Sequence, residues 1–563
     1  MKHKKTAIAI LLVALVIVAF FVAYNLHVPA KQTTSSPKPF FVGIETGWNA
    51  NVSYCEALID KVKNYTNLFI IASPFIVKNE TLLDETCDYA YNAGMYIMPV
   101  FYQVLNSASF GYISASWFTS AKEKYGDKLL GIYYYDEPGG TQLDETINLT
   151  SNNVYNMTSQ PTSYLDYADW YFHIWSEGYG VPSVSNFTHS LASSLFTSDY
   201  GLYWFDYKLG YDAILAQFGW NNSRPLQVSL VRGAAEAQKK NWGVIITWTY
   251  NQTPYLESAP QMYNDMILAY DSGATYLAVY DSSQNYANTT LTQPDFTALE
   301  NFWNYVQQNP DKHGSLKADT AVVLPQDYGF GFRSQDDSVW QYHNATYWTK
   351  KMYSDVTNLV KKYNSRLDIV YSDQQFDSAI QKAYSQILYW PQDFEKGMSY
   401  PVTDLNNSLG YNTIPAAISS FATYEGDTVL VKPGTYQENI TVTKPVTLTS
   451  QNKDTTLIEG LDNGTALTIA TDNVTVTGLT FKNAGDSSLM LGTGILLENA
   501  HDCTIIDNTV TGNYIGIFLA NSTDNVFRSN EISGNTYNLI FQNSSPNSID
   551  ALNIIEGKPY TAG

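Results

Sequence analysis

Two adjacent acids, Asp136 and Glu137, have the residue types and spacing that most directly suggest chemistry. They follow an apolar, tyrosine-rich run, residues 129–135, that predicts a β-strand, and they precede Pro138 and two glycines, which predict a sharp turn. Such a turn would hold both carboxyl groups at one point. A carboxyl that keeps its proton can donate it to a leaving group while an ionised neighbour stabilises positive charge, so the pair is a candidate for general acid–base catalysis.

The same pair also has a structural interpretation, in which both side chains cap the turn and satisfy its backbone hydrogen bonds. Both interpretations stay open at this point. A second carboxylate would be needed for hydrolysis, and three further acids end other predicted strands and could face Glu137: Glu45, Asp199 and Asp281.

Aromatic residues recur at the same strand ends. Sugar rings pack their C–H faces on aromatic planes, so a site lined in this way would bind glycans. For any single residue, burial between strands and helices is the simpler explanation, while the repeated position favours a ligand surface. The candidates for substrate binding are Trp48, Tyr102, Tyr135, Tyr200, Trp220, Trp248, Tyr250 and Tyr280.

The elements that would position these residues form a repeating pattern between residues 40 and 310. Short β-rich runs alternate with amphipathic helical stretches, which is typical of parallel βα units. Eight units predict a (β/α)8 barrel, with its reactive groups at the carboxyl ends of the strands. Residues 141–189 predict a lid or insertion between units four and five. The strands are expected at residues 40–45, 68–73, 96–102, 129–135, 195–199, 212–218, 244–248 and 276–280.

The end of the fourth predicted strand resembles the Asn-Glu-Pro ending of strand four in retaining glycoside hydrolases, where the Glu is the general acid/base. The resemblance assigns that role to Glu137, with Asp136 in place of the usual Asn. It also implies a nucleophilic Glu at the end of strand seven, but residues 246–251 (ITWTYN) contain no carboxylate. Gln217, on predicted strand six, supplies an amide and not the missing acid.

Residues 318–390 alternate strand and helix patterns and predict a small flavodoxin-like α/β domain. Its glycine-rich loop, residues 328–333, lacks the spacing of a dinucleotide-binding fingerprint, so a tight turn at a strand end is expected there.

From residue 411 the chain consists of short Thr/Val/Ile runs punctuated by Asn and Gly. Similar segments begin at Asn473, Asp502 and Asp524, roughly 22 to 29 residues apart, which predicts a parallel β-helix. Residues 414–448 resemble the opening coil of pectin-lyase-like, right-handed β-helices, and the later coils resemble the periplasmic copper-binding β-helix repeats of archaeal surface proteins. With His501 as its one histidine, the segment offers no copper site, so a binding or spacing module is expected.

The N-terminus contains an uncharged apolar run of about 19 residues, 6–24, preceded by Lys2, Lys4 and Lys5. It predicts a transmembrane signal anchor with the rest of the chain outside the cytoplasm. A cleaved signal peptide ending near residues 28–30 is the alternative. Many Asn-x-Ser/Thr sequons suit a glycosylated surface protein.

The amino-acid composition limits the classes of partner that the chain can bind. A net charge of -21, from 53 acidic and 32 basic residues, opposes binding to nucleic acid. Charged residues make up only 15% of the chain whereas aromatics make up 14%, so its surfaces must be largely polar and uncharged. Such surfaces suit carbohydrate.

These observations predict a membrane-anchored, extracytoplasmic, carbohydrate-active protein with a glycoside-hydrolase-like barrel. The alternative is a non-catalytic adhesin or envelope protein that binds polysaccharide. The expected partners are a polysaccharide or cell-surface glycan, and the membrane through the N-terminal helix; no nucleic acid, cofactor or metal is predicted. The domains are expected at residues 1–27 (cytoplasmic tip and anchor), 28–39 (linker), 40–310 (barrel), 315–400 (small α/β domain) and 411–563 (β-helix).

Overall fold

The computed structural model describes residues 39–560 except 49, 102–108, 111–112, 145–160, 162, 283–288, 395–399, 462–463, 483 and 486–491. No helix among these residues is long and apolar enough to cross a membrane. The longest, Tyr347–Tyr363, has 17 residues, fewer than the roughly 20 that a bilayer requires. The expected fold class is corrected accordingly: the described structure has no transmembrane helix, and the apolar run 6–24 lies outside the described residues.

Eight parallel strands close into a barrel in which each strand pairs with its neighbours in sequence and the eighth pairs with the first. The predicted (β/α)8 barrel is confirmed. Gly131, the first residue of the fourth strand, permits close approach of the fifth, since a Cβ there would lie 1.9 Å from Ser194 O. The strands are β1 (Phe41–Thr46), β2 (Leu68–Ile71), β3 (Tyr96–Phe101), β4 (Gly131–Tyr134), β5 (Ser194–Asp199), β6 (Ala213–Phe218), β7 (Asn241–Ile246) and β8 (Tyr276–Asp281).

Helices surround the barrel and cover its apolar strands. The barrel interior is filled by large side chains such as Leu68, Met98, Tyr133 and Phe196, so it is a packed core. The helices are α1 (Val52–Val62), α2 (Pro74–Val77), α3 (Glu80–Asn92), α4 (Ala115–Tyr125), α5 (Pro138–Asp144), α6 (Tyr164–His173), α7 (Val181–Ser190), α8 (Tyr203–Leu209), α9 (Arg224–Gln238), α10 (Ala259–Asp271) and α11 (Gln293–Gln308).

A three-stranded parallel sheet follows, with β9 (Thr320–Leu324) between β10 (Leu367–Tyr371) and β11 (Gln386–Tyr389). Helices α12 (Tyr347–Tyr363) and α13 (Asp377–Ala383) connect these strands. Barrel helix α9 packs directly on β10, because a Cβ on Gly233 would lie 2.4 Å from Ile369 O. Arg232 of the same helix donates to Asp368 Oδ1 at 2.8 Å. The small sheet therefore completes its core against the barrel.

From residue 402 onward the chain winds into a parallel β-helix with three sheets, as predicted, beside the short helix α14 (Ile414–Ile418). The first sheet contains Val402–Asp404, Gly410–Tyr411, Thr428–Val431, Thr447–Ser450, Thr475–Thr477, Thr504–Ile506, Val526–Arg528 and Ser548–Ile549. The second contains Gly434–Gln437, Thr456–Glu459, Thr480–Lys482, Thr509–Thr511, Glu531–Ser533, Ile554–Ile555 and Lys558–Pro559. The third contains Ile440–Val442, Leu467–Ile469, Thr493–Glu498, Ile515–Ala520 and Tyr537–Gln542.

Buried asparagines link successive coils of the β-helix. The backbone N–H of Asn508 donates to Asn530 Oδ1 at 3.0 Å, and that of Asn530 donates to Asn553 Oδ1 at 3.0 Å. All three side chains are buried. The asparagine repeat in the sequence thus satisfies backbone groups at each turn of the coil, where an unpaired buried donor would be unfavourable.

The first coil of the β-helix contacts both other parts of the molecule. Phe421 O accepts from the backbone N–H of Tyr164, at the start of α6, at 2.8 Å. Trp348 Nε1, on α12, donates to Gly410 O at 3.0 Å. The described part of the predicted lid therefore packs at the junction of the three parts.

Candidate active site

A cleft of about 700 Å³ opens where the barrel strands end at their carboxyl termini. Its walls come from β1, β5, β6, β7 and β8, from the turn after β4, from the end of α5 and from the loops that follow β1, β5, β6 and β7. One arginine from the loop after β9 also reaches it. The residues that line the cleft are Glu45, Trp48, Asp136, Glu137, Asp144, Ser198, Tyr200, Gln217, Trp220, Asn222, Ile245, Thr247, Trp248, Tyr280 and Arg333.

The turn after β4 places Asp136 and Glu137 in this cleft. Tyr135 and Glu137 both adopt left-handed backbone conformations, with φ of 56° and 55°, which is unfavourable for side chains of this size and persists only where neighbours hold it. The backbone N–H of Glu137 donates to Ser198 O at 3.0 Å and so ties the turn to β5.

Asp199 stabilises the same turn by accepting hydrogen bonds from its backbone. It accepts hydrogen bonds from the backbone N–H groups of Gly139 at 2.6 Å and Gly140 at 2.9 Å, at the start of α5. It also accepts from the backbone N–H groups of Tyr200 and Gly201 at 2.7 and 3.1 Å. Asp199 is fully buried and does not line the cleft. Its contacts are those of a capping residue and not of a group open to substrate.

A hydrogen-bonded chain joins the two acids of the β4 turn. Asp136 Oδ1 accepts from Tyr133 Oη at 2.6 Å and from Ser198 Oγ at 2.9 Å. Gln217 Nε2 donates to Glu137 Oε1 at 2.6 Å and to Ser198 Oγ at 2.9 Å. Each acid is therefore oriented by a neighbouring strand, Asp136 through β5 and Glu137 through β6.

Burial and mutual repulsion perturb the acids of the cleft. Burial, followed by the charge of Asp136, raises the pKa of Glu137 to about 8, although the hydrogen bond from Gln217 opposes the shift. Burial also raises the pKa of Asp136, while the hydrogen bonds from Tyr133 and Ser198 favour its ionised form. Near neutral pH we therefore expect Glu137 to keep its proton. With two donors, Asp136 is the better-stabilised anion.

Glu45, the third acid of the cleft, lies on β1 with 5% of its surface exposed. Its Oε2 is buried without a hydrogen-bond partner. Burial, then the charges of Asp136 and Glu137, raise its pKa well above the usual range. The three carboxyl groups are thus close enough to repel one another, and they cannot all ionise without help.

Asp281, the remaining predicted acid, ends β8 but lies outside the cleft lining. It accepts from the backbone N–H of Thr290 at 2.9 Å and from the hydroxyl groups of Thr289 and Tyr54. Side chains alternate along a strand, and Tyr280 faces the cleft, so Asp281 faces the helical layer. Of the five predicted acids, the structure brings together Glu45, Asp136 and Glu137.

Five of the predicted aromatic residues line the cleft: Trp48, Tyr200, Trp220, Trp248 and Tyr280. Tyr135 instead packs edge-on against Trp175 and Tyr179, with ring centroids 4.8 and 4.6 Å away. Tyr250 is exposed outside the cleft lining. Tyr102 lies outside the described residues.

Arg333 is a cleft residue that the sequence did not predict. The glycine-rich loop after β9 approaches the barrel so closely that a Cβ on Gly331 would lie 2.5 Å from Leu143 Cδ1. This approach lets Arg333 donate to Leu143 O at 3.2 Å, to Asp337 at 2.7 Å and to Asp144. The glycine spacing was the available signal, but nothing in it indicates which surface the loop contacts. Asp144, Ser198, Asn222 and Thr247 were likewise not predicted.

The acids of the cleft are not arranged as a metal site. Within the described parts of the chain, no group of three or more His, Cys, Asp or Glu side chains is placed to hold a metal ion.

The sequence matches a family model and a curated protein. Residues 421–560 match the family model of the periplasmic copper-binding protein NosD. A cell surface glycoprotein of Methanothermus fervidus is 33% identical over 116 residues, which cover 20% of this chain and 18% of that protein. The chain thus spans under a fifth of that relative's length. The family match confirms the resemblance of the β-helix to such repeats, and both matches agree with the predicted extracytoplasmic location.

Solved structures resemble the chain only distantly. GH5_18 from Streptomyces cattleya, solved in complex with GlcNAc, has a TM-score of 0.41 and 11% identity and covers 64% of this chain and 100% of its own. An alginate lyase from Paenibacillus sp. has a TM-score of 0.21 and 16% identity over 26% of this chain and 65% of its own. At these values the likenesses say nothing about activity.

Proposed function

We propose that this chain is an extracytoplasmic, carbohydrate-active protein whose barrel hydrolyses a glycosidic bond, with Glu137 as the general acid. One observation carries the proposal: Glu45, Asp136 and Glu137 share a cleft with aromatic walls at the carboxyl ends of the barrel strands. The matches to a cell surface glycoprotein and to a periplasmic protein family support the location.

The contacts of Glu137 suit proton donation. Gln217 donates to Oε1, so the proton of the neutral acid belongs on Oε2, which can turn toward a glycosidic oxygen. A pKa of about 8 keeps that proton in place near neutral pH and is close enough to neutrality for efficient transfer in the transition state.

Glu45 is the proposed second carboxyl group. The reactive form of the site would have Glu45 ionised, its proton having passed to solvent before the sugar bond breaks, and the positive charge that then develops at the anomeric carbon would favour this form. Ionised Glu45 would take a proton from the attacking water while the water oxygen bonds to the anomeric carbon. The proton of Glu137 goes to the leaving oxygen. Asp136, held by Tyr133 and Ser198, would remain ionised and stabilise the same charge.

The β-helix is assigned the part of a glycan-binding module or spacer. Its buried asparagines are occupied by contacts between coils, and such contacts support a stiff rod. The exposed side chains of the β-helix do not belong to these buried contacts, so they could bind a glycan.

The experiment that tests the hydrolase is Glu137→Gln in the full-length chain. The substitution keeps the shape of the side chain and removes its transferable proton. We expect the release of reducing ends from a susceptible glycan to fall by about 10² to 10⁴ while binding of the same glycan persists. Glu300→Gln, on the exposed face of α11, is the control and should leave the rate unchanged. An unaltered rate in Glu137→Gln would overturn the assignment.

A non-catalytic glycan-binding protein is the second candidate. It is favoured by the loop after β7, where Thr247 and Trp248 line the cleft and no acid does. Binding of polysaccharide by the unmodified protein, without release of reducing ends during long incubation, would support this candidate over the hydrolase.

A further inference from the structure

We infer that the glycan bound in the cleft carries a positively charged amine, as a de-N-acetylated amino sugar does, and that Glu45 recognises the ammonium group. This inference rests on the proposed binding of glycans in the same cleft, whether or not the barrel hydrolyses them.

The first observation is the charge of the cleft. Four carboxyl groups line it, those of Glu45, Asp136, Glu137 and Asp144, against the single guanidinium of Arg333. A sugar carboxylate or sulfate would face the charge of Asp136 and would oppose the ionisation of Glu45 and Glu137, which disfavours acidic polysaccharides. A cationic substituent would meet opposite charge.

Arg333 does not reverse this preference, because acids already neutralise it. Its Nη2 donates to Asp337 Oδ1 at 2.7 Å and its Nη1 pairs with Asp144. Nη2 also donates to Leu143 O. These contacts use three of the directions in which a guanidinium can donate. The arginine therefore fixes the wall formed by α5 and does not offer a free anion site.

The second observation is the unsatisfied carboxyl oxygen of Glu45. Its Oε2 is buried and has no hydrogen-bond partner, although the side chain is 95% buried and lines the cleft. A buried polar atom without a partner is uncommon and unfavourable. An ammonium group has three donors and no acceptor, so it could satisfy Glu45 and a neighbouring acid together. A neutral hydroxyl brings one donor and no charge.

The aromatic walls add to the same preference. Ammonium groups are attracted to the faces of indole rings, and cages of aromatic side chains with acids are a common solution for binding them. Trp48, Trp220 and Trp248 all line the cleft. The same rings can pack against the apolar faces of the sugar, so an amino sugar would use both properties of the site.

An inorganic cation is a poorer occupant. The described residues contain no group of three or more possible ligands with the placement that a metal ion needs. The cleft, at about 700 Å³, lies in the range of sites for organic ligands rather than single ions.

The electrostatics of Glu45 give the proposal a measurable signature. Asp136 and Glu137 face Glu45 and, together with burial, hold its pKa well above the ordinary range. An ammonium ion among these groups would favour their ionised forms, so binding should release protons.

The experiment compares matched pairs of oligosaccharides by titration calorimetry on the full-length chain near neutral pH. Chitosan and galactosamine oligosaccharides are the cationic probes, and their fully N-acetylated counterparts are the neutral ones. We expect at least one cationic probe to bind about tenfold or more tightly than its neutral counterpart. Its binding enthalpy should depend on the ionisation heat of the buffer, which reports proton release.

Variants separate recognition of the amine from general binding. Glu45→Gln should weaken binding of the cationic probe by about tenfold and leave binding of the neutral probe unchanged. Retained binding of the neutral probe shows that the variant is folded. Glu300→Gln should change neither. Equal affinity for both forms, or an equal loss of both in Glu45→Gln, would overturn the inference while leaving glycan binding intact. If neither form nor any other glycan binds, the proposed function fails as well.

Discussion

Gln217 Nε2 lies 2.6 Å from Glu137 Oε1 and donates a hydrogen bond to it. The same nitrogen donates to Ser198 Oγ at 2.9 Å, and that hydroxyl donates to Asp136. One amide on β6 thus connects both acids of the β4 turn. Because the amide nitrogen can only donate, it favours the ionised form of Glu137, whereas burial and Asp136 favour the neutral form.

Replacing Gln217 by Leu should therefore raise the pKa of Glu137 further above its present value of about 8. We expect a rise of about one unit, since a hydrogen bond to a carboxylate contributes about 1.5 kcal/mol or more. The measurement is the side-chain carboxyl shift of ¹³C-labelled glutamate followed through pH by NMR. Asn222→Ala, elsewhere in the cleft, is the control. A lowered pKa in Gln217→Leu would contradict this account of the site.

A buried pair of acids, Asp199 and Asp206, should make stability depend on pH. Asp206 Oδ1 accepts from Tyr171 Oη at 2.5 Å, its Oδ2 is buried without a hydrogen-bond partner, and its carboxyl group lies beside that of Asp199. Two carboxyl groups in contact must share a proton. Burial raises the pKa of Asp206 to about 8, against the interactions with Tyr171 and Asp199 that lower it, and burial with the charge of Asp206 raises the pKa of Asp199.

The direction of the effect follows from these shifts. The folded state holds the shared proton more tightly than the unfolded state does, so its contribution to stability is complete below about pH 4 and is lost as pH rises through about 8. Asp206→Asn should remove part of this loss, because its amide can donate to Asp199 without a proton. We expect it to be about 1–3 kcal/mol more stable than the parent at pH 8 and similar at pH 4.

Thermal unfolding of the two proteins across this pH range measures the difference. Asp311→Asn, at an exposed position, controls for the loss of one negative charge and should behave alike at both pH values. A constant difference between Asp206→Asn and the parent would show that no shared proton is involved.

The asparagines inside the β-helix predict a large effect from one small deletion. Asn530 Nδ2 donates to Ile505 O at 2.8 Å, and its Oδ1 accepts from the backbone N–H of Asn508 at 3.0 Å. Asn530→Ala removes both hydrogen bonds and leaves the buried N–H of Asn508 without its acceptor, which should destabilise the β-helix by about 1–3 kcal/mol. Thr441→Ala, on an exposed strand position, should change stability little. Denaturant unfolding distinguishes the two, and similar losses would contradict a special role for the buried asparagines.

The barrel and the β-helix could be predicted because both repeat. Eight apolar runs separated by helical stretches, and coils that return about every 22 residues, are patterns that local sequence carries by itself. Only some of the predicted acids line the cleft, because successive side chains at a strand end point to opposite sides of the sheet. Ser198 and Tyr280 face the cleft, so their neighbours Asp199 and Asp281 face away from it. Counting alternate residues along each strand distinguishes these two acids, which point away from the cleft, from Glu45, which lines it.

Local sequence patterns could not predict that Arg333 lies in the cleft. It belongs to the small α/β domain but pairs with Asp144 at the end of α5, and this contact depends on how the domain packs against the barrel. That packing rests on helix α9, whose Arg232 and Gly233 meet β10. Neither residue has a pattern in the sequence that distinguishes it from others on the same helix.

The aromatic side chains of the cleft lead to a prediction that compares two residues of nearly equal solvent exposure. Trp220 is 46% exposed and lines the cleft, whereas Tyr250 is 44% exposed and lies outside the cleft lining. Both were predicted to bind substrate from their positions after strands. Because neither is part of the core, replacing either by Ala should leave thermal stability nearly unchanged. Trp220→Ala should weaken glycan binding by about 5- to 30-fold, as expected for the loss of an aromatic contact worth about 1–2 kcal/mol, and Tyr250→Ala should not. Titration of the same oligosaccharide into both variants decides the matter: a loss confined to Tyr250→Ala would place the glycan outside the cleft that contains Glu137.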